Sequence, residues 1–492
     1  MSHPATDPTI PAELEGLPPI SGYESLVEQA LADRGDEPVY LAESGIDFDA
    51  ARAGFASALH MHQPMVPAAD GELTAAPLIS NLKHMFDHPD EGDNHNASVF
   101  LDCYQRLGRF IPQLVEEGKN PRIMLEYSGC LLWGLQQMGE HGAIENLRTI
   151  TADPRYRRCV EWLAMPWGHP VAPSTPTKDM VRHIRAWQQH FAGLFGLDAL
   201  RRVKGFSPSE MALPNHPDLA YEFVAALRQT GHHWLLVQEH TVERPDGAGV
   251  DQPHLPHRLV ARNSRGKAVD IIAVVKTQGS DTKLVAQMQP YYEATGLDRA
   301  QLAGDSVPRL VAQIADGENG GVMMNEFPDK FLEVSRAASG SEHPPMNVGE
   351  YLEHLASKGV GLKDFPEVQP IMQHRIWERF EDEAGPDAMN RTIEALEKED
   401  DRFHMEGGSW TNDRSWVAGY EDVLQPMEKA SVMFEQKVNE TDMPTDDPRF
   451  RNALYHLLLS QTSCYRYWGE GVWTDRGREI CRRAMAILEH DF

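Results

Sequence analysis

The stretch RLVAQIADGE, Arg309 to Glu318, is an apolar run of strand length that breaks off in two acids, and further glycines follow at Gly320 and Gly321. A short apolar run bounded by turn residues reads as a buried strand. The same form recurs six times upstream: FASALHMHQP (55–64), RIMLEYSG (122–129), CVEWLAMPWGHP (159–170), RVKGFSPSE (202–210), HHWLLVQEHT (232–241) and VDIIAVVKTQ (269–278). Segments with helical spacing lie between several of them, such as DMVRHIRAWQQHFAGLF (179–195) and DLAYEFVAALRQTG (218–231). That alternation predicts parallel β/α units. Every run ends in polar, acidic or histidine-bearing residues. In a β/α barrel the strand C-termini converge on one face, which carries the chemistry. Seven such ends predict an α/β fold built as an irregular barrel rather than an open sheet. GVMMNEF (321–327) reads as one more extended segment.

Beyond residue 345 the pattern becomes helical. VQPIMQHRIWERFEDEA, DAMNRTIEALEKEDDRF, YEDVLQPMEKASVMFEQKVNE and RNALYHLLLSQTSCYRYW all read as helices, with the polar linker ETDMPTDDPRF (440–450) before the last. At the other end, a proline-rich arm precedes YESLVEQALADRG (23–35), a short helix stopped by glycine. The predicted organisation is an N-terminal extension over 1–50, a barrel over 51–345 and a C-terminal helical-bundle domain over 346–492.

The 492 residues are 41% hydrophobic and carry a net charge of −28. The first figure is ample for large cores; the second repels phosphate backbones, so no nucleic-acid partner is expected. No run approaches the roughly 18 apolar residues of a membrane span, and the N-terminus lacks a secretory pattern. A cytoplasmic protein with no membrane partner is expected. Five scattered cysteines, without a CxxC pair, predict free thiols.

Three motifs can carry chemistry. His60 and His62 stand two apart at a strand end and so share one face. They suit contact with a polyhydroxylated ligand, a shared metal, or plain structural duty. A metal needs a third ligand, and no HExxH or HxxEH accompanies them. Glu210 follows a strand and lies between Pro208 and Pro214, which restrict the backbone around its carboxylate; a helix N-terminal glutamate looks the same. In IADGENGG, Asp316 and Glu318 sit without the GKS or GKT of a phosphate loop and without calcium-loop spacing. An acid/base role and a simple turn both remain. Two carboxylates on different strand ends match what retaining glycoside cleavage requires, a nucleophile and an acid/base roughly 5–5.5 Å apart.

With these blocks in order, the chain resembles glycoside hydrolase family 57, the group of α-amylase-like, 4-α-glucanotransferase and glycogen-branching enzymes. The resemblance is carried by HMHQP, EYSGCLLWGL, EWLAMPWGHPVAPSTP, GFSPSEMAL, ADGENGG, GSWTNDRSW and LLLSQTSCYRYWGEG. It implies a (β/α)7 barrel with a helical domain that contributes to the active site, an α-glucan or oligosaccharide substrate, and no metal or other cofactor. It makes Glu210 the nucleophile and Asp316 the acid/base. His60, His62, Glu126, His169 and Glu318 are the expected substrate-side residues, with Trp410, Trp416 and Trp468 as sugar platforms. Two departures stand out. Ser207 occupies a usual aromatic position, and Thr462–Ser463–Cys464 replaces a usual Ser-Ser-Asp. Two rival readings use the same residues: a non-catalytic carbohydrate-binding or regulatory protein, and a metal-dependent hydrolase or deacetylase with His60, His62 and an acid around one ion. Oligomeric state is not legible.

Overall fold

A computed structural model of the chain describes residues 9–68, 72–277, 282–322, 325–381, 384–407, 421–467 and 470–492. Seven strands form its centre: β1 (Ala53–Met61), β2 (Ile123–Tyr127), β3 (Val160–Ala164), β4 (Gly205–Phe206), β5 (Trp234–Gln238), β6 (Ala268–Lys276) and β7 (Arg309–Asp316). Each falls within one of the seven apolar runs or overlaps it closely. All neighbours are parallel, in the order β7-β1-β2-β3-β4-β5-β6. A pairing of Lys276 with Ala312 joins β6 to β7 and closes the barrel. Outside the ring, His257–Arg262 pairs antiparallel with β6, and Glu367–Pro370 pairs with that strand in turn.

Alternation along the strands divides the core in two. Side chains two apart share a face. Ala56 and Ala58 of β1, Met124 of β2, Leu163 of β3, Leu236 of β5, and Ala312 and Ile314 of β7 belong to one apolar cluster, which fills the barrel. Phe55, Leu59, Leu125, Tyr127 and Val311 belong to the other, which packs under the surrounding helices. The lumen series continues to His60, Glu126 and Asp316 at the strand C-termini.

The opposite end is plugged by the helix Val348–Ser357. Several of its contacts fall beside strand N-termini. The Gly349 N–H donates to both Glu161 oxygens at 3.1 and 2.9 Å, and the Tyr351 hydroxyl donates to Pro308 at 2.8 Å. Arg122 pairs with Glu350 at 2.7 Å with both side chains buried, and Lys204 pairs with Glu353 at 3.1 Å. The Arg122–Glu350 and Lys204–Glu353 charges are paired, as desolvation demands, and burial raises the Glu161 carboxyl to about 8.

The helices Glu421–Thr441, Pro448–Ser460 and Val472–His490 pack on one another. Their Ala430, Phe434, Leu457, Leu458, Ile480 and Ala484 join the apolar cluster that covers the barrel. The predicted linker supplies a helix start: the Asp447 side chain accepts from the Arg449 N–H at 2.8 Å, with Pro448 in the first turn.

Two predicted elements differ. The described residues of 321–327 are not in a strand: Asn319–Val322 is helical and a second helix, Phe327–Ala338, begins with Pro328 in its first turn. Gly321, in the helical turn Asn319–Val322, lies so close to the neighbouring helix that a Cβ there would meet Cys103 Sγ at 2.6 Å. The predicted helix over 368–384 is instead the strand Glu367–Pro370 followed by the short helix Gln373–Trp377. Pro370 has no N–H and biases the residue before it towards extended backbone.

Breaking the plug's ion pair should be costly. Arg122→Ala strands the Glu350 carboxylate in the core and is expected to destabilise the protein by about 3–5 kcal/mol. Arg122→Met combined with Glu350→Leu should recover most of that loss, read as thermal unfolding midpoints.

Candidate active site

The barrel register sets three groups on one level. Asp316 of β7 is the partner of His60 of β1, and His60 is the partner of Glu126 of β2. Since each ends the lumen-facing series of its strand, the three side chains meet at the barrel mouth. His60 Nδ1 lies 3.0 Å from Glu126 Oε2. His60 Nε2 lies 3.0 Å from His169 Nε2, supplied by the loop after β3. His169 Nε2 is also 3.7 Å from Glu210 Oε1, which follows β4.

The charges on these groups follow from their neighbours. Burial opposes a charged His60, but Glu126, with Asp316 and Glu210 behind it, outweighs this and raises the imidazole to about 10. The surrounding carboxylates thus favour the protonated form of the His60 imidazole. Burial also raises Glu126, and His60 opposes that rise. His62 and His169 are pushed well below the usual histidine value by burial and by nearby imidazoles. Both stay neutral. His169 Nδ1 lies 2.7 Å from Ser463 Oγ.

Glu318 holds the turn after β7. It accepts from the Tyr104 hydroxyl at 2.8 Å and from the His62 N–H at 3.3 Å, while the Gly317 N–H donates to the His60 carbonyl at 2.8 Å. Burial, then the charge of Asp316, raises Glu318 to about 7. Three residues here lie in the left-handed region: His169 (φ 59°), Glu210 (φ 59°) and Met211 (φ 53°). For residues with a Cβ this conformation costs about 1–2 kcal/mol each, and such strain clusters at functional sites.

A cavity of about 680 Å³ opens over these groups. His60, His62, Glu126, Glu210, Asp316 and Glu318 line it, together with Lys276 from the end of β6 and Trp473 and Arg476 from the C-terminal helix. That volume is within the roughly 300–1,000 Å³ of small-molecule sites. Behind its wall, ligand atoms of His62, His169 and Cys464 lie within 4.8 Å of one another. The His62 and His169 rings are stacked, 4.0 Å apart and 8° from parallel. Imidazole lone pairs lie in the ring plane, and two parallel planes share no point at which one ion could meet both. This cluster does not suit a metal.

No family model matches the sequence, and no curated protein matches it. Solved structures do match. A 4-α-glucanotransferase from Thermococcus litoralis superposes with a TM-score of 0.55 at 16% identity, over 90% of this chain and 60% of that one. A GH57-type branching enzyme from the archaeon Pyrococcus horikoshii superposes with a TM-score of 0.54 at 11% identity, over 89% of this chain and 88% of that one. This chain has the glycoside hydrolase family 57 fold. It spans 60% of the length of the glucanotransferase.

Within that fold, Glu210, Asp316, His60, His62, Glu126 and Glu318 come together as cavity-lining residues. His169 is wholly buried and meets the cavity through His60 and Glu210. Trp410, Trp416 and Trp468 lie outside the described residues. Sequence reasoning did not single out Lys276, Arg476, Tyr104 or Ser463 as site residues. Lys276 was accessible to the same rule as His60, since it ends a lumen-facing series. The other three come from helices or their ends, and no local pattern marks their direction.

The raised Glu318 carboxyl has a direct consequence for stability. Between about pH 4.5 and 7 the folded protein binds a proton there that the unfolded chain has released, so this contribution falls as pH rises. Glu318→Gln keeps an oxygen for Tyr104 and removes the charge. Its thermal midpoint relative to wild type is expected to rise between pH 4.5 and 8; a constant difference across that range would contradict the assignment.

Proposed function

We propose that the protein is a retaining glycosidase or transglycosylase acting on α-linked glucans through a covalent glycosyl-enzyme intermediate. The observation that carries this is the placement of Glu210 and Asp316 in one cavity, on strand ends of one barrel, both facing the His60 cation. The likeness in fold to a 4-α-glucanotransferase and a GH57-type branching enzyme supports it.

In this mechanism Glu210 attacks the anomeric carbon as the glycosidic C–O bond breaks, and protonated Asp316 gives its proton to the departing oxygen. A water or a sugar hydroxyl then attacks the same carbon, passes its proton to Asp316 and releases Glu210. His60 faces both carboxylates, Glu210 and Asp316. Its hydrogen bonds to Glu126 and His169 hold the imidazolium in place, so the field at the reacting carboxylates is set before substrate arrives. His169 Nε2 lies behind Glu210, 3.7 Å from its Oε1. His62 and Glu318 hold the wall beside Asp316, and Trp473 and Arg476 bring the helical region to the substrate. The balance between water and sugar as acceptor rests on how far the filled cavity excludes water.

Glu210→Gln and Asp316→Asn should each lower turnover of maltoheptaose by about 10²–10⁴-fold or more while leaving the unfolding midpoint close to wild type. Full activity in either variant would overturn the assignment. Products resolved by length and linkage identify the acceptor: shortened chains for water, a ladder of longer and shorter chains for transfer, and new α-1,6 links for branching.

A further inference from the structure

We propose that Arg476, on the C-terminal helix, is a specificity-determining residue that binds an anionic substituent, a phosphate or a carboxylate, on a sugar held in the cavity. Trp473 and Arg476 stand three apart near the start of the helix Val472–His490 and so share one face. Both line the cavity. Arg476 is only 6% exposed, and its guanidinium lies over the Trp473 ring, 4.8 Å from the centroid. Among the described residues its one hydrogen bond is a long contact from Nη2 to His84 Nε2 at 3.4 Å. Its Nε has no partner, and it forms no ion pair with any described carboxylate. Glu91 is the carboxylate whose charge reaches it. That side chain stands mostly in solvent and turns instead to His84 at 3.7 Å and His88 at 3.5 Å.

Other buried arginines have stronger acceptors. Arg122 donates to the Glu350 carboxylate through Nε and Nη2, and Arg34 donates to the Val203 and Gly231 carbonyls. Arg476 has an imidazole edge and an aromatic face. Taking a guanidinium out of water is costly unless a counter-charge and good acceptors replace the water, and burial opposes its charge. An anion bound from the cavity supplies both, with two oxygens that match the guanidinium fork. A sugar hydroxyl supplies an acceptor without the charge. Two further features add positive potential to the cavity wall: Lys276 at the end of β6, and the N-terminal end of the helix itself, where Val472 and Trp473 line the cavity. Of the cavity's acids, Glu126, Glu210, Asp316 and Glu318 stand at or just past strand ends, and Glu91 and Asp93 share one loop. The anionic group is therefore read by the helical region, while the glycosidic carbon meets the carboxylates of the barrel.

The proposal names a substrate class for the site read above as glycosidic and rests on that reading for the sugar; a binding measurement separates the two. Glucose, glucose 6-phosphate and glucuronate are each titrated calorimetrically into the whole protein. In wild type, glucose 6-phosphate, glucuronate or both should bind at least about tenfold more tightly than glucose, and which of them does so identifies the source of the anion. Arg476→Gln should bring the ratio of anionic to neutral affinity to within about twofold of one. Arg476→Lys keeps the charge without the fork and should leave the ratio between the two. Equal affinities for all three sugars in wild type, or an unchanged ratio in Arg476→Gln, would overturn the proposal. An anion preference in a protein that turns over no α-glucan would uphold it and remove the glycosidic reading; turnover of maltoheptaose with equal affinities would do the reverse. If Arg476→Gln does not fold, Glu91→Gln takes its place. Removing the carboxylate that acts on Arg476 should raise the anionic-to-neutral ratio about twofold or more at low salt, and an unchanged ratio would overturn the proposal.

Discussion

A charged imidazole cannot sit at the end of a barrel lumen without acceptors and counter-charges on every side. His60 has both: Glu126 on one nitrogen, His169 on the other, and the carboxylates of Asp316 and Glu210 within electrostatic reach. Removing a cation from water costs several kcal/mol. That cost explains why so many groups from different strands converge on one ring. The convergence also produces the site, because the carboxylates that stabilise the cation are the ones that line the cavity.

The convergence depends on register. The lumen series of β1, β2 and β7 each end on a functional side chain, and parallel pairing sets Asp316, His60 and Glu126 side by side. A slip of one residue in either pairing would turn a whole strand's lumen side chains outwards. The register is therefore held by the apolar packing of Ala56, Ala58, Met124 and Ile314 below, and the paired charges of the plug helix close the far end. Stability at the bottom and chemistry at the top are two ends of one side-chain ladder.

The helical region works on the site from outside the barrel. It supplies Trp473 and Arg476 to the cavity and Ser463 to His169. The loop that carries Gly168 and His169 lies against the helix Pro448–Ser460 at backbone distance, so the two parts are joined by hydrogen bonds as well as by apolar surface. The strained backbone at His169 and Glu210 is consistent with this. Conformations that cost free energy persist where surrounding contacts over-determine them.

Much of this was legible in the linear pattern. Apolar runs ending in polar residues marked all seven barrel strands, because a strand buried on both faces leaves a continuous apolar signature and its exit from the core is abrupt. The acids and histidines at those ends marked Glu210, Asp316, His60, Glu126 and Glu318. Pro370 was the clue that a helix over 368–384 was wrong, and the compact turn at Gly321 depended on a neighbouring helix that the local sequence does not contain. By itself, then, the sequence determined the strands, their lumen-facing sides and the residue types at the mouth, since these follow from local periodicity and side-chain chemistry. Only the tertiary structure decided which nitrogen of His60 faces Glu126, that His169 lies behind the wall, and that Ser463, almost three hundred residues on, meets it. Proton positions and charge states depend on distances between groups far apart in the chain, and those distances exist only once the barrel has closed and the helices have packed against it.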